Sequence, residues 1–111
     1  MTYRMFVDDV RDPQWVYADQ DVSDWQVARS FEEAVNIMSD LGCPAWISLD
    51  HDLGDQTPTG YDLCKWMVEQ DLHMQGAFMM DHFSYACHSA NPVGVQNMQG
   101  LLDSYAKAKK G

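Results

Sequence analysis

Hydrophobic residues occur along this chain in two kinds of cluster. Arg4–Val7, Ala45–Leu49 and Phe83–Cys87 are short, mostly apolar runs that stop abruptly at polar residues, the behaviour of buried strands, and Trp25–Ala28 is a briefer run of the same kind. In Ala45–Leu49 only Ser48 breaks the apolar surface, as an inner strand of a parallel sheet would allow. Elsewhere the spacing changes to i, i+3, i+4. Phe31, Ala34, Val35, Met38 and Leu41 share one helical face; Leu63, Cys64, Trp66, Met67 and Val68 form a broader one reaching about Asp71. A third stripe, Val95, Met98, Leu102 and Tyr105, is weakened by Gly94 and Gly100.

Punctuation agrees with these periods. Ser30-Phe31-Glu32-Glu33 reads as a capping box and Gly42 as the stop of the same helix. Thr59-Gly60-Tyr61-Asp62 opens the second helix, and Asn91-Pro92 opens the last, whose Lys107, Lys109 and Lys110 suit a helix C-terminus. Two stretches carry weaker patterns. Val10–Asp24, with Pro13 and four acids, predicts a long loop with room for one helical turn, and Gly76–Met80 fits either a strand start or a loop resting on the core. Strands alternating with helices predict an α/β fold with a small parallel sheet of about four strands, connected by right-handed crossovers. The 111 residues predict a single domain, long enough to bury roughly two-thirds of its unfolded surface.

Composition narrows the class. With 46% apolar residues, including four Trp, five Tyr and four Phe, the chain is not disordered. Cys43, Cys64 and Cys87 form no C-x-x-C pair and read as reduced, mostly buried small hydrophobes. No apolar leader opens the chain and no run approaches about 18 apolar residues, so a cytoplasmic protein without a membrane partner is expected. The net charge of −10 argues against binding a nucleic-acid duplex, which needs clustered Lys and Arg. Of 17 acids, 14 are Asp, a residue of turns, caps and metal loops rather than of helix faces.

Three polar segments, Asp8-Asp9, Asp50-His51-Asp52 and His88-Ser89, follow predicted strands, and ligands of open parallel sheets bind at the carboxyl ends of strands. Brought to one edge, Asp8, Asp9 and Asp50 repel one another unless a cation sits among them or a proton is taken up, and hard carboxylate oxygens suit Mg²⁺ or Mn²⁺. A phosphate could approach an edge that also carries Asp12, Asp52 and Asp55 only with such a cation, Arg11 being the nearest fixed positive charge. The expected metal ligands are therefore Asp8, Asp9 and Asp50. His51 or His88 is the candidate proton carrier, because imidazole titrates near neutral pH. Ser89 and the amides opening the last helix are candidate phosphate ligands, with Arg11, Asp52 and Asn91 at the substrate. Plainer roles exist for several of these: Asp52 and Asp55 as turn residues, Asn91 as a helix cap. His73 and His82 are expected at the surface or in loops.

These segments resemble the receiver domain of response regulators. Asp8-Asp9, Asp50 with Gly60 ten residues on, and Ser89 match that family's metal pair, phosphoacceptor and hydroxyl switch residue, whereas its fifth strand, with a Lys, and that strand's helix have no counterpart here. A closer likeness is to the cyclic-phosphate-processing receiver-like family. Its blocks appear as Val7-Asp8-Asp9-Val10-Arg11-Asp12-Pro13, as Ser48 to Gly54 with Thr59 to Asp62, and as His88 to Gly94 followed by Asn97-Met98. The resemblance implies a shortened receiver/flavodoxin-like sheet and metal-assisted processing of a cyclic phosphate bond in a nucleotide or RNA end, with Asp50 as a ligand or an in-line nucleophile. A small phosphate-containing substrate follows from that reading. The alternatives are a degenerate receiver that accepts a phosphoryl group or binds a protein partner, and an acidic mimic of nucleic acid.

Overall fold

The structure, a computed structural model, describes residues 2–54 and 57–110. Its elements follow the two hydrophobic periods: β1 (Arg4–Val7), α1 (Pro13–Val16), β2 (Gln26–Ala28), α2 (Phe31–Leu41), β3 (Trp46–Leu49), α3 (Gly60–His73), β4 (Ser84–Cys87) and α4 (Pro92–Lys110). All four strands are parallel, in the order β2-β1-β3-β4. This is a receiver/flavodoxin-like α/β fold, and no fifth strand occurs among the described residues. No described helix is long and apolar enough to cross a membrane.

Local chemistry sets most boundaries. The Ser30 hydroxyl accepts from the Glu33 amide at 3.1 Å, while the Glu33 carboxylate reaches one residue further back than a capping box requires, to the Arg29 amide. Gly42 ends α2 with φ at +82°, a conformation costly for any residue with a Cβ. Thr59 and Asp62 form a full capping box on α3. The loop after β1 holds the single turn α1, and Gly76–Met80 is a loop with Phe78 and Met79 buried on the core.

The two sheet faces are covered differently. On one, Met5, Val7, Ile47 and Leu49 meet Ala34 and Met38 of α2, Leu63, Cys64 and Met67 of α3, and Met98 and Leu102 of α4. Leu41, in the last turn of α2, is exposed although it continues the stripe, because the stripe gives a direction and not the reach of the surface it packs on. The opposite face carries Phe6 and Ser48, covered by aromatic rings from the α1 segment and the strand starts: Tyr17, Trp25 and Trp46 lie 5.1–5.5 Å apart, with the Arg4 guanidinium over both indoles. Cys64 is buried, Cys43 and Cys87 are partly so, and all three are free. His73 and His82 are exposed.

Candidate functional site

The strands end in register. Ala28, Val7, Leu49 and Cys87 stand side by side on one row of the sheet. The ladder then continues one residue further, since the amides of Asp8, Asp50 and His88 donate to the carbonyls of Ala28, Val7 and Leu49 at 3.0–3.1 Å. Arg29, Asp8, Asp50 and His88 are thus carried by the last rung of a rigid sheet. Strand alternation aims Asp8 and Asp50 to the same side as Phe6 and Ser48, away from the helical layer.

Asp8 is fully buried, and four donors meet it. Its Oδ1 accepts from the amides of Val10 and Arg11 at 2.9 and 2.8 Å; its Oδ2 accepts from Arg11 Nε at 2.8 Å and faces His88 Nε2 at 3.0 Å. Burial alone would raise the carboxyl's pKa, but these donors outweigh it and hold the group below its ordinary value. His88 has only 3% of its side chain exposed and stacks on Phe6 with ring centroids 4.4 Å apart. Burial lowers its pKa against the pull of Asp8, so the ring is neutral near pH 7. A neutral ring meets its neighbours in one way: Nε2–H donates to Asp8, and Nδ1 accepts from the Ser48 hydroxyl at 2.6 Å, which in turn accepts from Tyr17 at 2.7 Å. A directional chain of hydrogen bonds therefore runs from Tyr17 through Ser48 and His88 to Asp8.

Asp9 and Asp50 stand beside this anchored carboxylate. One oxygen from each of Asp8, Asp9 and Asp50 lies within 4.8 Å of the others. Burial pushes the Asp50 pKa up and the Asp8 charge adds to it, against Ser89, His88 and Arg11, and the net direction is upward. The Arg11 guanidinium approaches Asp50 Oδ1 at 3.8 Å. Over the group lies an open cavity of about 490 Å³ lined by Asp9, Arg11, Asp50, Asp52, Gly54, Ser89, Ala90 and Asn91. A family model describing the cyclic-phosphate processing receiver domain matches residues 3–104. The chain belongs to that family. No curated protein and no solved structure matches it.

The cavity of this receiver domain gathers most of the residues expected from the sequence. Asp8, Asp9 and Asp50 converge, and Arg11, Ser89, Asp52 and Asn91 stand at the rim. The Asn91 side chain caps α4 through the Gly94 amide at 3.0 Å, as the cap reading expects, and turns its amide nitrogen toward Asp52 at the cavity rim. Neither histidine lines the cavity. His88 is sealed below Asp8, and His51 lies under α4 with Nδ1 at 2.9 Å from Asp52 Oδ1, a bond that lowers the Asp52 pKa. Asp55 lies outside the described residues.

Four residues with no expected role support the site. Arg29 holds the loop that carries Asp8, Asp9 and Arg11, donating to the carbonyls of Asp8 (3.3 Å) and Arg11 (2.5 Å) and pairing with Asp12. Ser48 orients His88, and a lone polar residue in an apolar strand was the signal for it. Gly60 and Gly94 permit close packing: a Cβ on Gly60 would stand 2.1 Å from the Asp50 carbonyl oxygen, and one on Gly94 2.4 Å from His51 Cγ. Gly94 is therefore a fitting for His51 as well as a weak point in a helix stripe.

The three-carboxylate group fits a hard divalent cation. Its donors are all oxygens within 4.8 Å of one another, and among the described residues only the Arg11 guanidinium pairs with them, at Asp8 and Asp50.

Proposed function

We propose that this domain is a metal-dependent phosphoesterase that opens cyclic phosphates of nucleotides or RNA ends. The observation that carries the reading is the convergence of buried Asp8 with Asp9 and Asp50, the latter two lining a cavity whose rim offers Arg11, Ser89 and Asn91 to an anion. Asp8, Asp9 and Asp50 would hold Mg²⁺ or Mn²⁺, which would supply Lewis-acid polarisation of a phosphoryl oxygen and a more acidic water. The Ser89 hydroxyl, just ahead of α4, donates to the phosphate oxygens, and Arg11 balances their charge. Hydrolysis adds water across one ring P–O bond, leaving a monoester and an alcohol, and the departing oxygen takes a proton. Of the two candidate histidines, His51 is better placed to serve that transfer, acting through Asp52 and Asn91, which it touches and which line the cavity, while both nitrogens of His88 are engaged away from it. His88 acts on the site through Asp8.

The test is incubation with Mn²⁺ or Mg²⁺ and a panel of 2′,3′- and 3′,5′-cyclic phosphates. Ring opening is expected, absent from Asp50→Asn and strongly reduced in His51→Gln; an untouched panel sinks the enzyme reading. Asp50, flanked by Ser89, also occupies the receiver phosphoacceptor position, which favours a second reading as a phosphorylated or partner-binding module. Labelling by acetyl phosphate confined to Asp50, with the cyclic panel untouched, would select it.

A further inference from the structure

Arg11 is placed differently from the other residues at the cavity rim. Its guanidinium is turned down into the acidic group, with Nε 2.8 Å from Asp8 Oδ2 and Nη2 3.8 Å from Asp50 Oδ1. A carboxylate offers about four lone-pair directions. All those of Asp8 are taken, by two amides, Arg11 Nε and His88 Nε2. A cation that uses Asp8 must therefore displace a donor.

Three of the four donors are not free to leave. The amides of Val10 and Arg11 belong to the turn itself, which Arg29 clamps through the Asp8 and Arg11 carbonyls. His88 is wedged between Phe6 and Ser48 and is 3% exposed. Arg11 has a long side chain, 33% exposed, that already borders the cavity.

We infer that Arg11 is an exchangeable occupant of the cation site: in the metal-free protein it holds Asp8 and Asp50 together, and a divalent ion releases it into the cavity to bind an anion. This rests on the three carboxylates being a cation site. Charge favours the exchange in both directions. Without the ion, Arg11 relieves part of the repulsion among three carboxylates; with it, the guanidinium loses its partners and is presented to the cavity as a ligand for phosphate. Cation and anion are then coupled through one side chain, and the coupling is reciprocal: sulfate or phosphate in the cavity tightens the cation, and the cation tightens the anion.

The consequence runs against the usual effect of deleting a site residue. Arg11→Gln should bind Mn²⁺ more tightly than the wild type, by about tenfold, because a competing charge is gone. Calorimetric titration with Mn²⁺, with and without sulfate, reads both parts. Wild type should gain Mn²⁺ affinity when sulfate is added, and Arg11→Gln should show no such gain. A second measurement needs no variant. The chain has three arginines, and the Nε–H resonance of Arg11, identified by its absence from Arg11→Gln, should lose its protection from solvent exchange as Mg²⁺ saturates the protein. Equal or weaker Mn²⁺ binding by Arg11→Gln, or an Arg11 resonance indifferent to Mg²⁺ at saturation, overturns the exchange while leaving the cation site standing. If neither protein takes up Mn²⁺, the cation site and the exchange both fall.

Discussion

Asp8 and Asp71 are both wholly buried carboxylates, and each is met by four donors, at opposite ends of the fold. Asp71, near the end of α3, accepts from the amides of Phe78 and Met79, from Tyr105 at 2.5 Å and from Lys109 at 2.9 Å, while Lys109 also donates to the Met79 carbonyl. That set ties α3, the following loop and α4 together, and its one negative charge faces one positive charge. Asp8 is bonded just as fully, but Asp9 and Asp50 stand within 4.8 Å of it and, among the described residues, Arg11 is the only full positive charge bonded to the group. Burial and donor number therefore do not distinguish the carboxylate of the candidate site from the one that ties helices together. What does is charge left unbalanced beside an open cavity: Asp8 and Asp71 both lie below their ordinary values, but Asp50, which shares the group with Asp8, lies above it.

The largest expected effect is at the balanced end. Asp71→Ala leaves two amides, a hydroxyl and an ammonium without their acceptor and should cost about 3–5 kcal/mol in urea unfolding. A loss below about 1 kcal/mol would mean that water replaces the carboxylate and that this end is less closed than its geometry implies.

Next is the support beneath Asp8. Ser48→Ala deprives His88 Nδ1 of its donor and Tyr17 of its acceptor, and should cost about 1–3 kcal/mol. If urea unfolding finds Ser48→Ala neutral, the chain from Tyr17 to Asp8 does not anchor the site. Asp50→Asn should act in the opposite direction, raising metal-free stability by about 1 kcal/mol through relief of repulsion and abolishing any upward shift of the melting temperature by Mn²⁺. Destabilisation instead would show that Arg11 already balances the group.

The finest distinction is in pH. Because the Asp71 carboxyl is depressed, its contribution is complete above the ordinary value of 3.8 and is lost as pH falls through its lower folded value. The stability gap between wild type and Asp71→Asn should therefore be full above 3.8, narrow as pH falls below it and be closed at the lower folded value. Asp50 is raised, so its cost is present at neutral pH and disappears as pH falls through the raised value toward 3.8. The Asp50→Asn gap should close first on acidification of metal-free protein, and closure of both gaps at one pH would remove the contrast.

Much of this was legible in the chain. Arg4–Val7 was bounded by its own apolar run, Ser30 and Thr59 by cap chemistry, and Asp8, Asp50 and His88 were recognisable as strand-end residues because each follows a short hydrophobic run. Those are local signals. The direction in which His88 points was not local: its neighbours Ser48, Phe6 and Asp8 lie 40 to 82 residues away along the chain, and a histidine after a strand reads alike whether it faces substrate or seals a carboxylate. Asp71 looked like the end of a helix face for the same reason, since Tyr105 and Lys109 reach it only through the packing of α4 on α3.

The sequence by itself determined the elements, their order and the three segments that meet at the sheet's carboxyl edge, because hydrophobic period and capping act over a few residues. Only the tertiary structure decided how the acids differ: which carboxylate is anchored, which is left unbalanced and which is closed by a lysine. Those outcomes depend on strand register and on neighbours far apart in the chain, and a carboxylate's chemistry is set by the charges and donors that surround it.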